Sequence, residues 1–310
     1  MRIAISGSTG LIGSRLIEHF KTQGHYLTRI IRETTLYNHG EPIARWDIKR
    51  GTIEAEKLEA HDCVIHLGGA NISDKPWTEE NKKVIYESRV DSTALLSQTL
   101  ALLFRPPKVF FCASAVGFYG PQPGQVVLDE SSPKGKGFLA QVCSQWEKAT
   151  QAAQAGRIRV VNLRFGMVLS GKGGALAKMI PVFDLGLGGR IGSGKQVISW
   201  IALEEIPNII SHIIAHDQIS GPVNIVSPNP VTNAEFTKSL GSVMQRPTFF
   251  PLPAMIVKMM FGEMGEELLL NGARAMPKRL LDSQYTFAYP EIKSALKVSL
   301  GDSLLHSPKS

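Results

Sequence analysis

The chain is short of cysteine, with three in 310 residues: Cys63, Cys112 and Cys143. An odd, unclustered set excludes a disulfide framework and a cysteine zinc site, and leads us to expect a reducing cytoplasm. Aromatic residues are also few, at 7%, and no basic stripe interleaved with rings offers a surface to nucleic acid. Long hydrophobic runs are missing. No stretch approaches the ~18 apolar residues that span a membrane, so no membrane partner is expected. Met1 leads straight into a core strand, so no cleavable leader is expected either. Acidic charge is the minor sign: 34 Lys and Arg against 27 Asp and Glu leave a net +7. The basic residues are dispersed, which suits a protein that favours small anionic ligands.

What is present starts at the first residues. An apolar strand, Arg2-Ile3-Ala4-Ile5-Ser6, runs into Gly7-Ser8-Thr9-Gly10-Leu11-Ile12-Gly13. A helical pattern with Leu16, Ile17 and Phe20 on one face follows, and Gly24 ends it. This strand, glycine turn and helix is how a doubly wound fold holds a dinucleotide pyrophosphate. Gly7 permits the tight turn, Gly10 lets the backbone approach the phosphates, and Gly13 lets the helix pack on the strand. All seven turn residues are candidate cofactor contacts. The second strand, Tyr26 to Arg32, ends about 20 residues on, where an NAD site places Asp or Glu. Here Arg32 suits a 2′-phosphate, although Glu33 follows it, so NADP(H) is favoured over NAD(H).

Strands and helices alternate through the first half. Val64 to Leu67 reads as a buried strand ending in Gly68-Gly69. A helix runs from about 78 to 103, a strand from 109 to 113, a helix from 138 to 155 and a strand from 159 to 163. Alternation of this kind implies parallel strands with right-handed crossovers. The expected fold class is α/β, a Rossmann-like doubly wound parallel sheet with a smaller substrate-side lobe. Residues 1–165 and 200–227 are assigned to the nucleotide-binding domain, and 166–199 and 228–310 to the lobe. Residues 170–195 are rich in glycine and read as a candidate lid. Met244, Met255, Met259 and Met260 read as helix core packing.

The whole chain resembles the extended short-chain dehydrogenase/reductases, in particular their atypical epimerase-like subfamily. The residues that carry this are the glycine turn, Asp62 to Gly69, Ser114-Ala115-Val116-Gly117-Phe118-Tyr119-Gly120, Leu163-Arg164-Phe165, Gly186 to Gly194, and Ser199-Trp200-Ile201. The resemblance implies cofactor contacts at Leu67, Gly68 and Gly69. Asp47 resembles the acidic residue that accepts from the adenine amino group, with a solvated loop Asp as the competing reading. The family's chemistry uses Tyr-x-x-x-Lys on a helix with an upstream Ser or Thr. The tyrosine moves a proton, and the lysine lowers its pKa and holds the ribose. Aligned on Glu147, those positions hold Leu139 and Cys143, and neither does the work.

Counted from its strand, Ser114 matches the family serine, while counting back from Tyr119 gives Ala115. Ser114 and Tyr119 are the candidate catalytic residues, with packing as the even alternative for Tyr119. His66 reads as structural. Asn71, Trp77 and Trp200 are pocket-wall candidates for which core packing is the stronger reading. Nucleotide-sugar members carry an Asn where this chain has Met167, and an Arg where it has Ile198. Losing both weakens any diphosphate site. Lys195 and Arg190 remain as partial substitutes. The resemblance implies an NADP(H)-dependent reductase or epimerase-like enzyme on an unidentified small polar substrate. The missing pair leaves open a non-catalytic NADPH-binding sensor or scaffold. A homodimer through the helices near 78–103 and 138–155 is a further expectation.

Overall fold

The structure, a computed structural model, describes residues 1–37 and 40–301. They form two compact units. The first comprises Met1–Ser114, Gln141–Leu163 and Ile213–Val223; the second comprises Ala115–Ala140, Arg164–His212 and the chain from Asn224 onward.

The sheet has eight strands: β1 (Arg2–Ser6), β2 (Tyr26–Arg32), β3 (Ile43–Asp47), β4 (Thr52–Ile53), β5 (Cys63–His66), β6 (Val109–Ala115), β7 (Arg159–Phe165) and β8 (Gly221–Ile225). Their order is β8-β7-β6-β5-β1-β2-β3-β4. β1 pairs in parallel with β2 and β5, β2 with β3, and β5 with β6; β4 closes the edge antiparallel to β3. Ile3, Ala4, Ile5, Val64, Ile65, Phe110 and Phe111 are fully buried. Continuous apolar runs of this kind mark parallel strands covered on both faces. The chain leaves β1 outward through β2 and β3, then returns to lay β5 on the other side of β1. That reversal opens a crevice at the carboxyl ends of β1 and β5.

Helix α1 (Leu11–Thr22) buries Gly13, Leu16, Ile17 and Phe20, and α2 (Glu79–Leu102) starts at Thr78, whose side chain accepts from the Asn81 N–H. The helix expected over 138–155 is two helices, α3 (Phe138–Lys148) and α4 (Gln151–Ala155). The break follows from Thr150, whose hydroxyl donates to the Glu147 carbonyl at 2.7 Å and competes with the helical ladder.

The second unit is built from short strand pairs and helices. Met167–Leu169 runs parallel to Trp200–Ala202, and Val197–Ile198 antiparallel to Val231–Thr232. Trp200, Leu169, Phe236, Leu240 and Leu296 form its core. The glycine-rich segment is tightly packed within this unit. A Cβ on Gly189 would lie 1.8 Å from the Phe250 carbonyl oxygen, and Ile191 bridges to Leu252. The methionine expectation fails for three of four residues. Met244 packs on the core cluster, but Met255 is 81% and Met259 79% exposed, and Met260 is exposed too. Helix Ala254–Gly265 buries only Val257 and Gly265, so most of its apolar side chains have no core to enter. Among the described residues no helix is long and apolar enough to cross a membrane, and no group of three or more His, Cys, Asp or Glu is placed to hold a metal.

Candidate functional site

The glycine turn of the first unit is set by backbone geometry. Gly7 has φ +66°, and a Cβ there would sit 2.8 Å from the Leu67 carbonyl carbon. A Cβ on Gly13 would lie 2.2 Å from the Gly7 oxygen. Only glycine fits either position. Gly10 differs, because its Cβ would meet only the Gly7 oxygen, at 3.3 Å. Gly10 and Thr9 are exposed, and Leu11 and Ile12 half-buried. Gly10 caps α1, with no side chain bonding to the helix N–H groups and no acidic residue in the first turn. The positive end of the helix dipole is left to an external anion. Ser8 Oγ is buried and has no hydrogen-bond partner among the described residues. An open backbone wall, an uncapped helix terminus and an orphaned hydroxyl fit a pyrophosphate cradle.

At the end of β2, Arg32 is exposed, and no hydrogen bond or ion pair engages its side chain among the described residues. The loop behind it is held by Arg45, which sequence reading missed. Arg45 donates to the carbonyls of Glu33 and Thr35 at 2.8 and 3.3 Å. On the same strand as Arg32, Arg29 packs over the Tyr37 ring and lies 3.6 Å from Glu41. A hydrogen bond from Tyr37 leads the effects that hold the Glu41 carboxyl down at about 2. Asp47 Oδ1 accepts from the backbone N–H groups of Lys49 and Arg50 at 3.0 and 3.1 Å, so that oxygen closes a local turn.

At the end of β5, Leu67 and Gly68 are half-buried and Gly69 exposed. Behind them His66 is fully buried between Ser6 Oγ at 2.5 Å and Ser92 Oγ at 3.1 Å. Burial pushes its pKa down to about 3, so the ring is neutral and structural. Ser114, at 2% exposure, donates from Oγ to Glu147 Oε1 at 2.7 Å. Glu147, which sequence reading used only as an alignment landmark, is thus the partner of the Ser114 hydroxyl. Cys143 stands one turn before it on α3, and Trp146 donates to Thr93 Oγ1 at 2.9 Å.

In the second unit Tyr119 is 0% exposed. Its hydroxyl bonds to the Asp129 carbonyl at 2.9 Å and Asn224 Oδ1 at 2.8 Å, and accepts from Arg164 Nη1 at 3.0 Å. Burial raises its pKa, opposed by Arg164. A phenol with this surrounding is a packing element. In this structure the Tyr119 hydroxyl is committed to internal partners, the arrangement that packing predicts. Leu139 gives its backbone N–H to Glu267 Oε2 at 3.2 Å, beside Phe138 N–H on Oε1 at 2.9 Å. Met167 and Ile198 both pack against the Trp200 cluster. The two diphosphate-binding slots are thus filled by apolar core. Trp200 is core rather than pocket wall, with its indole N–H on the Asn229 carbonyl. Asn71 and Trp77 are spent on local loop bonds to Ser73 and to the Ile72 carbonyl.

The family model for the NAD dependent epimerase/dehydratase family matches residues 3–226. The chain belongs to that family. A second model, a domain of unknown function, matches residues 252–298 of this epimerase-family chain. An epimerase family protein of Mycobacterium bovis is 41% identical over 294 residues, 95% of this chain and 96% of that one. The crystal structure of the human epimerase family protein SDR39U1 with NADPH superposes with a TM-score of 0.87 at 32% identity, over 97% of this chain and 99% of that one. The Thermus thermophilus UDP-glucose 4-epimerase complex with NAD, at 16% identity and a TM-score of 0.76 over 99% of this chain and 100% of that one, shares the fold.

Proposed function

We propose that this epimerase-family protein binds NADP(H) on its first unit and uses it in a redox reaction on a small polar substrate, without the Tyr-x-x-x-Lys pair. The observation that carries the reading is the cradle at Gly7 to Gly13: open backbone at Gly10, a helix N-terminus with no internal cap, and the unpartnered Ser8 hydroxyl. Gly7, Ser8, Thr9, Gly10, Leu11, Ile12 and Gly13 would hold the pyrophosphate, and Leu67, Gly68 and Gly69 would border the other half. Arg32 supports the phosphorylated cofactor, because its charge has no internal partner among the described residues and a guanidinium prefers a phosphate to a hydroxyl. The human relative solved with NADPH supports the same choice. Asp47 Oδ2 makes no turn bond but faces Arg50 Nε at 3.6 Å, so an adenine amino group would share that oxygen with an exposed arginine.

When bound, the cofactor supplies hydride transfer. Proton handling falls to Ser114 and Glu147. Ser114 Oγ takes a proton from substrate as its own passes to Glu147 Oε1, and the reverse sequence donates one. The apolar side chains at Met167 and Ile198 support a substrate other than a nucleotide sugar. Cys63, Cys112 and Cys143, buried and in no disulfide among the described residues, support a cytoplasmic setting, and half-exposed Val84 on α2 is consistent with a homodimer through α2 and α3. One observation favours a second, non-catalytic reading as a redox sensor: Leu139 carries no proton, and Tyr119 is sealed in the second unit.

Titrating NADPH and NADH into wild type and Arg32→Ala tests the cofactor. Wild type should prefer NADPH, and the variant should lose roughly ten- to a hundred-fold, the worth of one charge-assisted contact. Equal affinities in wild type would sink it. An NADPH-oxidation screen over a metabolite panel separates the two readings. No turnover, together with a protein partner that binds only the loaded form, would favour the sensor.

A further inference from the structure

The second unit carries an apolar face that its own fold leaves uncovered. Helix Ala254–Gly265 buries only Val257 and Gly265. It presents two ridges of i, i+4 neighbours, Met255 with Met259 and Ile256 with Met260, all exposed. The chain that enters the helix adds Phe249, 82% exposed, and Phe250. Backbone bonds lace that entry to an earlier segment: Phe250 N–H donates to the Gly188 carbonyl at 3.4 Å and Leu252 N–H to the Arg190 carbonyl at 2.9 Å. Leu185 and Leu187, exposed just before Gly188, extend the same face. All these residues belong to the second unit.

Six of these side chains, Leu185, Phe249, Phe250, Met255, Met259 and Met260, are each more than half exposed. At roughly 200 Å² for a side chain of this size they offer on the order of 800 Å² together, beyond the ~300–600 Å² of the largest patch on a typical monomer. That equals the share of one partner in a standard interface, about 800 Å². Charge narrows the occupant. Over residues 182–190 and 246–266, Asp184, Glu263 and Glu266 balance Arg190, Arg246 and Lys258. Two ion pairs close within the chain, Arg246 with Asp184 at 2.9 Å and Lys258 with Glu266 at 3.2 Å. In a protein of net charge +7 this face is neutral. A neutral face neither holds an anionic bilayer nor steers in a charged partner, and it does not repel a copy of itself. We propose that a second copy of this chain covers it, helix Ala254–Gly265 packing on its own counterpart about a two-fold axis. The contact is isologous, so the Met255–Met259 ridge of one copy lies in the groove beside the same ridge of the other. Methionine suits such a seam because its unbranched thioether repacks to fit. α2, weighed above for self-association, exposes a smaller apolar area, with Val84, Tyr86 and Leu102 as its large exposed apolar side chains.

Sedimentation velocity on the full chain tests this at about 100 μM, since interfaces of this size hold at micromolar concentration or below. Wild type should run as a dimer. Met259→Glu should raise the dissociation constant by roughly a hundred-fold or more, because the two-fold axis brings each new charge to the contact twice. Val84→Glu, on α2, should leave it within about twofold. Both positions are exposed, so thermal melts should show folded protein; should Met259→Glu not fold, Phe249→Glu takes its place. A monomeric wild type overturns the proposal, and so does a dimer that Met259→Glu leaves intact. The same proteins are then spun with vesicles of phosphatidylcholine and phosphatidylserine. If a monomeric wild type pellets with them and Met259→Glu does not, the face belongs to a lipid surface and the proposal falls.

Discussion

The turn from Gly7 to Gly13, in the first unit, and the helix α3, which enters that unit only from Gln141 onward, contrast sharply. The turn keeps every feature a pyrophosphate requires. The helix keeps neither member of the pair that the family resemblance implies, with Leu139 and Cys143 in their places. The difference lies in what each job demands. The turn needs particular backbone: a positive φ at Gly7 and a contact at Gly13 that no Cβ survives. No other residue substitutes for that. The helix needed only a charge and a proton carrier at a point in space. A neighbouring position can bring such a group, as α3 itself brings Glu147 against the Ser114 hydroxyl at 2.7 Å.

The largest effect expected comes from breaking the turn itself. In Gly13→Val the new Cβ meets backbone at 2.2 Å, with Ser8 Cα and the Gly7 carbonyl carbon closing around it. None of these atoms belongs to a flexible side chain, so the variant should lose about 3 kcal/mol or more of stability, or fail to fold. Gly10→Val should fold, because its Cβ has one neighbour at 3.3 Å, and should lose NADPH binding, because the added side chain fills the phosphate side. Circular dichroism and calorimetry on the two variants check this. A Gly10→Val protein that still binds NADPH at micromolar concentration would place the phosphates elsewhere.

The same contrast explains what could be read beforehand. β2 was legible to the residue, Tyr26 to Arg32, because Leu27, Ile30 and Ile31 are apolar and Arg32 marks its end. β5 was legible because Cys63 to His66 is buried throughout. The break at Thr150 was not legible, since it depends on one hydroxyl choosing a carbonyl of the preceding turn. Met255 and Met259 misled because apolar composition does not say which side of a helix has a neighbour. At the site, the cradle was readable from glycine spacing alone. The pairing of Glu147 with Ser114 was not, because a glutamate after Trp146 looks like any helix charge until α3 and β6 are brought together.

The next effect separates proton handling from packing. Ser114→Ala and Glu147→Gln should each lower turnover by about 10²–10⁴-fold, the usual share of general acid–base help, with NADPH affinity nearly unchanged. Tyr119→Phe should act on stability instead. It removes the acceptor of Arg164 Nη1 and the donor to Asn224 Oδ1, two buried polar groups, at a cost on the order of 3 kcal/mol. The specific rate of the folded fraction should hold. Thermal melts beside steady-state kinetics decide it. A rate loss in Tyr119→Phe with an unchanged melting temperature would return the phenol to the chemistry.

The smallest effect concerns the wall behind the glycine pair. His66 stands against Ser6 and Ser92 with its pKa pushed down to about 3 by burial, and a Cβ on Gly68 would lie 2.9 Å from its ring. In the unfolded chain the imidazole takes a proton near pH 6.5, whereas in the folded protein it does so only near 3. Between those values the unfolded form binds more protons. Stability from this group is therefore complete above about pH 6.5 and falls as pH falls toward 3, by about 2 kcal/mol between pH 7 and pH 5. His61, also buried with a lowered pKa, adds the same sign to any variant that retains it. His66→Gln keeps a polar side chain in the slot and removes only the His66 share. Urea midpoints at pH 7 and pH 5 for both proteins should show a smaller drop in the variant, whatever its absolute stability. Equal drops would mean that water or a shift of the strand end reaches the ring, and that the wall beside the cradle is softer than the turn it supports.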